Sequence, residues 1–337
     1  MKDENLLLEL IKIESESENE AQIGNLIFNR LKQKGFKIKK QLVNKNSKNF
    51  NIFAYTGKPK IIFSNHIDTV PVQIKIKKDN TKIYGRGACD TKSQVAAAIL
   101  ASEKALDSGL TNFGMLFTIE EETNLSGAKK AISLLPNTCE LIVIGEPTNL
   151  DILTGHNGII VFKLISRGKT AHGSMPEKGI NAIELLIDDL NKLRGANFQT
   201  NKILGKNILN IGKISGGITD NVVPDYAEAT ITYRTVTDSV GIIKKIRSLV
   251  KSEVKILLDF EPFFNDSVDV IAKILKAKTK TVKYFTEASI LSKKSNVIIL
   301  GAGNIKEAHS NNEFVLIKEY NKLIDMYFDI IKYYNKI

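Results

Sequence analysis

The first half of the sequence alternates short apolar runs with segments of helical character. Residues 60–64, 113–119 and 140–145 are short and rich in Ile, Val and Phe, which is typical of buried strands. Between them lie an Ala-rich segment, 91–107, and a second helix-like segment, 126–135. This alternation predicts an α/β domain in which helices cover a sheet.

The pattern changes near residue 153. The elements predicted next are a strand (158–166), a helix (178–194), two strands (207–214 and 226–235), a helix (238–252) and a strand (253–260). Their β-α-β-β-α-β order is that of a ferredoxin-like unit. Beyond residue 262 the alternation of strands and helices seen in the first half returns. Helices are predicted at 266–276 and from 315, and strands at 281–285 and 296–300. We therefore predict a discontinuous catalytic domain of residues 1–153 and 262–337 and an inserted domain of residues 154–261.

Charge and composition exclude several classes of function. The net charge is +11, but only six of the 48 basic residues are arginines and the lysines are spread along the chain, so we expect no nucleic-acid partner. No apolar run approaches the roughly 20 residues that span a bilayer, and the acidic N-terminus lacks the features of a secretory signal. Two cysteines, Cys89 and Cys139, suit a reducing compartment. We expect a cytoplasmic protein that does not enter the membrane.

Histidine and carboxylate side chains follow the predicted strands and loops at the points where these end. They are His66, Asp68, Asp90, Glu121, Glu122, Glu146 and His309. Each has a simpler interpretation on its own: Asp90 could cap the next helix, and the glutamates could favour a helix dipole. Because the carboxyl ends of parallel strands meet at one sheet edge, we expect these side chains to lie together. Such a set of nitrogen and oxygen ligands predicts a site for two divalent cations.

Five strings occur in order between residues 64 and 314: SNHIDTVPV, GRGACDTKS, TIEEETNLSGA, VIGEPTNL and GAGNIKEAHSNNEF. This ordered set resembles the motifs of the acetylornithine deacetylase and succinyl-diaminopimelate desuccinylase family of zinc-dependent amidohydrolases. The resemblance implies a zinc-exopeptidase-like catalytic domain, with a mixed sheet flanked by helices, and an inserted ferredoxin-like domain that serves as lid and dimerisation domain. It also implies two Zn²⁺ ions, for which Co²⁺ can substitute.

The resemblance assigns five metal ligands. His66 and Glu146 would bind one zinc ion, and Glu122 and His309 would bind the other. Asp90 would bridge the two ions.

Three further residues are implied to act in catalysis. Asp68 would orient His66 without binding metal, and Glu121 would be the general base that takes a proton from the attacking water. His172, in the string SRGKTAHGSMPEKG, would reach into the partner subunit's site and stabilise the oxyanion, so a homodimer through the inserted domain is expected. The resemblance assigns no role to His156, and we interpret it as a structural or interdomain histidine.

The resemblance also implies a set of substrate-binding residues. Asn221 and Arg234 would contact the oxyanion region and the substrate carboxylate, for which a planar guanidinium is well suited. In the segment KYFTEASIL, Thr286 and Glu287 would line the pocket, with Glu287 receiving an ornithine ammonium. Gly303, in the loop before His309, is also expected to contact the substrate.

The substrate expected from these motifs is an N-acylated amino acid, most closely N-acetylornithine in arginine biosynthesis. The alternatives are succinyl-diaminopimelate, a carrier-linked lysine or ornithine of lysine biosynthesis, and a di- or tripeptide. Asn65 and Ser93 stand where the family has glycine, and the segment after the Val-Pro turn is short, as in the carrier-linked hydrolases. The basic surface would suit an acidic carrier protein, but the intact string TAHGS argues against that substrate. A metal-free binding homologue is the remaining alternative, and the complete ligand set argues against it.

Overall fold

The computed structural model describes residues 4–44 and 47–336, which form two units. The first unit comprises the chain as far as Thr154 together with Asn265–Lys280 and the residues from Thr286 onward. The second comprises Gly155–Phe264 and Thr281–Phe285. Residues 281–285 lie in the part of the chain predicted to form the catalytic domain. They belong to the second unit because the Phe285 ring packs 5.1 Å from the ring of His156, a contact that sequence spacing does not reveal.

The N-terminal part of the chain forms α1 (Asn5–Lys12), α2 (Ala21–Gln33), β1 (Lys37–Leu42), β2 (Phe50–Tyr55), β3 (Ile61–His66), β4 (Lys77–Lys78), β5 (Lys82–Tyr84), α3 (Lys92–Asp107), β6 (Phe113–Thr118), α4 (Ser126–Ala131), β7 (Leu141–Ile144) and β8 (Ile152–His156). The middle part forms β9 (Gly158–Arg167), α5 (Ala182–Gly195), β10 (Ile208–Gly216), β11 (Tyr226–Thr235), α6 (Ser239–Leu249), β12 (Glu253–Phe260) and β13 (Phe263–Phe264). The C-terminal part forms α7 (Asp269–Leu275), β14 (Thr279–Val282), α8 (Ala288–Leu291), β15 (Asn296–Ile299), β16 (Phe314–Leu316) and α9 (Ile317–Lys336). Short 3₁₀ helices lie at Ile132–Leu134 and Pro176–Lys178.

A mixed sheet forms the centre of the first unit, with the strand order β1-β2-β6-β3-β7-β15-β8. The four strands β6, β3, β7 and β15 are parallel to one another. The pairs β1–β2, β2–β6 and β15–β8 are antiparallel. The parallel strands therefore end at one edge of the sheet, and the polar segments that follow them begin there. The predicted fold class is confirmed.

Helix α3 packs against β3, β6 and α9 and is buried almost all round, as its Ala-rich sequence requires. The small alanine side chains leave room for α9, whose Tyr320 and Tyr327 are fully buried. The Tyr327 ring lies 4.5 Å from that of Phe63 in β3, and its hydroxyl donates a 2.7 Å hydrogen bond to the carbonyl of Leu300. Burying a side chain of this size contributes about 2–3 kcal/mol, so these contacts hold α9 against β3 and against the end of β15.

The second unit contains a four-stranded antiparallel sheet with the order β10-β11-β9-β12. Helices α5 and α6 pack their apolar sides on one face of it, through residues that include Leu186, Leu190 and Ile246. The side chain of Asn181 caps α5 by accepting hydrogen bonds from the backbone N–H groups of Ile183 and Glu184. The unit therefore has the predicted ferredoxin-like arrangement, with β10 at an edge.

Residues 5–35 contain apolar residues at helical spacing, and the structure places them on two helices, because the chain leaves the helix at Lys12 and re-enters it at Ala21. In the intervening loop, the Ser15 hydroxyl donates a hydrogen bond to the carbonyl of Ile67. This tertiary contact holds the loop against the segment that follows β3. Residues 72–84, whose alternating Ile and Lys residues predict a hairpin, contain the antiparallel pair of short strands β4 and β5, and β5 also pairs with β16. Among the described residues, no helix has the length and apolar character needed to cross a membrane.

Candidate metal centre

The predicted metal ligands of the first unit stand on segments that leave the same sheet edge. His66 is the last residue of β3, the glutamate segment follows β6, and Glu146 follows β7. Asp90 lies in the turn before α3, and His309 lies in the loop between β15 and β16. His309 adopts a φ of 60°, which is uncommon for a residue other than glycine and shows that the surrounding loop determines its conformation.

Four of these side chains contact one another. Asp90 Oδ1 lies 3.1 Å from His66 Nε2, and Asp90 Oδ2 lies 3.3 Å from His309 Nε2. His309 Nε2 is also 2.8 Å from Glu122 Oε1. Glu146 Oε1 lies farther away, 3.9 Å from His66 Nε2. Asp90 therefore turns one carboxylate oxygen toward each imidazole.

The charge of the cluster perturbs the pKa of each group. Burial raises the pKa of Asp90, but the hydrogen bonds to His309 and His66 outweigh that effect and hold it well below the usual range. Hydrogen bonds to Asp90 and Glu122 raise the pKa of His309 to about 10. Burial, and then repulsion by neighbouring carboxylates, raises the pKa of Glu146 well above its usual value. The site is thus a cluster of carboxylates whose combined negative charge favours the binding of a cation.

Glu121 lies beside the ligand cluster and is partly exposed. Burial is the largest cause of its raised pKa, and the carboxylates of Glu146, Glu122 and Glu287 raise it further. The charge of His66 opposes this shift, but the pKa of Glu121 stays well above its usual value. A carboxylate with a raised pKa is a stronger proton acceptor, which suits a general base.

Asp68 is fully buried and connects two of the ligand segments. Its Oδ1 and Oδ2 accept hydrogen bonds from the backbone N–H groups of Glu121 and Glu122, both at 3.1 Å. Oδ1 lies 3.4 Å from His66 Nδ1, which also makes a 3.0 Å contact with the Asp68 carbonyl. With Nδ1–H directed at Asp68, the lone pair of His66 Nε2 points into the cluster, as a metal ligand requires.

Several residues that support this centre have no role assigned from the sequence. The Ser17 hydroxyl donates a 2.7 Å hydrogen bond to Asp68, and Glu20 accepts one from the backbone N–H of Glu120. Arg86 and Glu313 form a buried ion pair next to Asp90. These contacts join segments far apart in the chain. Arg86, Glu120 and Glu313 lie within the quoted strings, but the strings do not show which residues they contact.

The substrate-binding residues expected in the first unit lie in its interior. Thr286 and Glu287 are each 1% exposed, and the Thr286 hydroxyl accepts a hydrogen bond from the N–H of Ala288 at the start of α8. Burial raises the pKa of Glu287 to about 7. Gly303 has a φ of +84°, and a Cβ there would lie 2.6 Å from the Cys89 sulfur. Glycine is therefore required at this position by conformation and by space.

The remaining predicted residues belong to the second unit. His172 is exposed and its Nδ1 lies 2.9 Å from the Ser174 hydroxyl. The Asn221 carbonyl accepts a 2.7 Å hydrogen bond from Gly173, which brings the strings TAHGS and TDNVV together. Arg234 is half-buried on β11, and desolvation lowers the pKa of its guanidinium.

His156, also in the second unit, has the environment of a structural residue. It is fully buried, its Nδ1 contacts the carbonyl of Asn157 at 2.9 Å, and its ring packs against Phe263 and Phe285. Burial lowers its pKa to about 4, so the imidazole is neutral. These contacts support the structural interpretation of this histidine.

The donor set fits a pair of divalent cations. One atom each of His66, Asp90 and Glu122 lies within 4.8 Å of the others, the spacing of ligands around an ion. Imidazole nitrogen and carboxylate oxygen are the ligands that Zn²⁺ accepts at catalytic sites. A cation would also offset the repulsion that raises the pKa of Glu122 and Glu146.

The fold and this site define a metal-dependent hydrolase. The model of peptidase family M20/M25/M40 matches residues 62–333, so the chain belongs to that family.

Three known proteins illustrate the relationship. The chain is 31% identical to a probable carboxypeptidase of Aspergillus flavus, over 94% of this chain and 87% of that protein. It resembles the structure of a tripeptidase from Staphylococcus aureus with a TM-score of 0.86 and 25% identity, over 99% of this chain and 98% of that one. A dinuclear metal-binding peptidase from Bacillus subtilis shares the fold, with a TM-score of 0.75 and 17% identity over 98% and 97% of the two chains. A peptidase relationship is therefore established, whereas these relatives are not named as acetylornithine deacetylases.

Proposed function

We propose that this chain is a dizinc hydrolase that cleaves an amide bond in a small substrate bearing a free carboxylate. The observation that carries the proposal is the position of Asp90, whose two oxygens face His66 and His309 separately, at 3.1 and 3.3 Å. A carboxylate placed in this way is suited to bridge two ions. Glu146 would complete one site, and Glu122 the other.

The bound ions would supply Lewis acidity toward the scissile carbonyl and a lowered pKa for water. We assign Glu121 as the general base, because it precedes the ligand Glu122 and because burial, and then the neighbouring carboxylates, raise its pKa and so its basicity. It takes a proton from the attacking water and returns it to the leaving amine. Asp68 holds the His66 ring and the backbone of Glu121 in one orientation.

The second unit offers groups for the substrate. A partly desolvated guanidinium such as that of Arg234 is a strong partner for a carboxylate, and we assign it to the substrate carboxylate. The exposed imidazole of His172 is free to stabilise the developing oxyanion, and Asn221 lies on the loop beside it.

We propose that His172 acts in the site of a partner subunit, within a homodimer formed through the second unit. Support comes from β10, which is the exposed edge strand of its sheet. Ile214 and Ile218, on and after this strand, are 61% and 90% exposed. An exposed apolar edge strand favours pairing with another chain.

Short peptides are the first substrate class in this proposal, since the related proteins are named a probable carboxypeptidase and a tripeptidase. N-Acetylornithine is the second, and the likeness of the segment around Glu287 to acetylornithine deacetylase favours it. The burial of Glu287 weakens its assignment to the ornithine ammonium, because the carboxyl would have to be reached in the interior. Two buried free cysteines, Cys89 and Cys139, support a reducing, cytoplasmic location.

A hydrolysis panel tests the substrate class. Zinc-loaded protein is incubated with dipeptides, tripeptides, N-acetylornithine and N-succinyl-diaminopimelate, and the released amine is measured. The same dipeptide with an amidated C-terminus is the control for carboxylate recognition. We expect the highest kcat/KM for an unblocked di- or tripeptide and a large loss on amidation. A clear preference for N-acetylornithine would contradict the peptide assignment, and equal cleavage of the amide would contradict the role of Arg234.

A further inference from the structure

A buried ion pair lies next to the proposed metal centre without belonging to its ligand set. Arg86 and Glu313 are 3% and 0% exposed, and Arg86 Nη1 lies 2.7 Å from Glu313 Oε2. Two buried charges cost several kcal/mol each in desolvation, so a pair of this kind is weak evidence for stability alone. Its position suggests a different role.

Glu313 holds the backbone on which Asp90 stands. Its Oε1 accepts hydrogen bonds from the N–H groups of Cys89, at 2.9 Å, and of Asp90, at 3.0 Å. The Glu313 carbonyl also accepts a hydrogen bond from the N–H of Gly85 at the start of the same turn. Hydrogen bonds from backbone N–H to an ionised carboxylate are short and strong, so they define where this turn lies.

Arg86 extends the same network to the segment that carries His309. Its Nη1 lies 3.4 Å from the carbonyl of Ser310, the residue after His309, and its Nε donates a 3.1 Å hydrogen bond to the carbonyl of Val72. The planar guanidinium can make these contacts together with the one to Glu313, which a lysine could not.

The two ligands that this network joins belong to turns rather than to helices or strands. Asp90 lies in the turn before α3, and His309 lies in a loop with a left-handed φ. Their side chains nevertheless meet, with 3.3 Å between Asp90 Oδ2 and His309 Nε2. Regular secondary structure does not fix this distance, so it depends on contacts such as those of Arg86 and Glu313.

We propose that Arg86 and Glu313 are positioning residues of the metal centre, which set the geometry of Asp90 against His309 and thereby the affinity for the metal ions. This inference rests on the proposed function, since it requires Asp90 and His309 to be ligands. Substitution of groups that orient metal ligands typically lowers metal affinity about 10–100-fold. The effect should reach both ions, because Asp90 would contact both.

The test is a zinc titration of the full-length Glu313→Gln protein by calorimetry with a competing chelator. The free energy of unfolding of the metal-free protein is measured alongside. Glu103→Gln is the matched control: Glu103 is also a buried carboxylate paired with an arginine, with Arg30 Nε at 2.8 Å. Glu103 lies on α3, about 16 Å along the helix from Lys92, the first residue after the turn that carries Asp90. Its ion pair is therefore distant from the metal centre. Both variants should lose stability, but only Glu313→Gln should lose zinc affinity, by about 10–100-fold.

The outcomes distinguish a failure of the positioning role from a failure of the proposed function. Wild-type affinity in Glu313→Gln, with a loss of stability like that of Glu103→Gln, would overturn the positioning role and leave the metal centre intact. No zinc binding by the wild-type protein would overturn the proposed function and this inference with it. If Glu313→Gln does not fold, the same criterion applies to the double variant Arg86→Gln/Glu313→Gln, which leaves no buried charge unpaired.

Discussion

Glu20 should make the stability of this protein decrease as the pH rises. Its side chain is 1% exposed, and Oε1 accepts hydrogen bonds from the N–H groups of Glu18 and Glu120, at 3.0 and 3.1 Å. Oε2 is buried without a hydrogen-bond partner among the described residues. Burial, and then the charge of Asp68, raises the Glu20 pKa from 4.5 to about 7. The structure therefore favours the neutral carboxyl.

The sign and the size of the effect follow from this pKa. Because the pKa of the acid is higher in the folded state, the stabilisation is complete below about pH 4.5 and is lost as the pH rises through about 7. At about 1.4 kcal/mol per pKa unit, the full loss is about 3 kcal/mol. Part of this loss has already occurred at about pH 5, where the unfolded state is largely ionised, which leaves roughly 2 kcal/mol between about pH 5 and about pH 8.5.

The perturbation is Glu20→Gln, which keeps the oxygen acceptor and cannot ionise. Urea unfolding is followed by circular dichroism, since the chain has no tryptophan, in chelator at about pH 5 and about pH 8.5. Relative to the wild type, the variant should gain roughly 2 kcal/mol between the two conditions. Glu18→Gln, an equal change of charge at an exposed neighbouring position, is the control. A difference between Glu20→Gln and the wild type that does not change with pH would refute the reasoning.

Three shorter predictions concern the centre and the second unit. Asp68→Asn should lower zinc affinity about 10–100-fold in a chelator competition, because an amide cannot accept the N–H groups of both Glu121 and Glu122; unchanged affinity would argue against its orienting role. Chelation should abolish hydrolysis and lower the melting temperature, both restored by zinc, and full activity in chelator would exclude metal dependence. Asn181→Ala should lower the free energy of unfolding, measured in urea, by about 1 kcal/mol because the α5 cap is lost, while kcat stays unchanged. Asn181→Asp should restore most of the lost stability.

The chemistry at the strand ends was predictable because it is local in the sequence. The short run 60–64, with Ile61, Ile62 and Phe63 at its centre, indicates a buried strand, and the polar residues that follow it are then expected at the edge of the sheet. The same reasoning reached Glu146 after β7 and the glutamates after β6. The parallel order of these strands then brings residues from distant segments together.

What could not be predicted depends on contacts between distant segments. Glu20 meets Glu120 one hundred residues away, and Arg86 meets Glu313 at a separation of 227. Arg86, Glu313 and Glu120 lie in the quoted strings, but neither the strings nor any periodicity indicates which residue each of them contacts. Short elements such as α8, four residues long, are likewise below the length at which apolar periodicity is informative.

The most direct test of the account compares Glu121→Gln with the wild type at equal zinc content. The zinc of each preparation is counted by plasma emission, and kcat is measured on the best substrate of the hydrolysis panel. A general base outside the ligand shell predicts two zinc ions per chain in both proteins and a kcat lower by about 10²–10⁴-fold in the variant. Wild-type turnover by zinc-loaded Glu121→Gln would contradict the proposed mechanism.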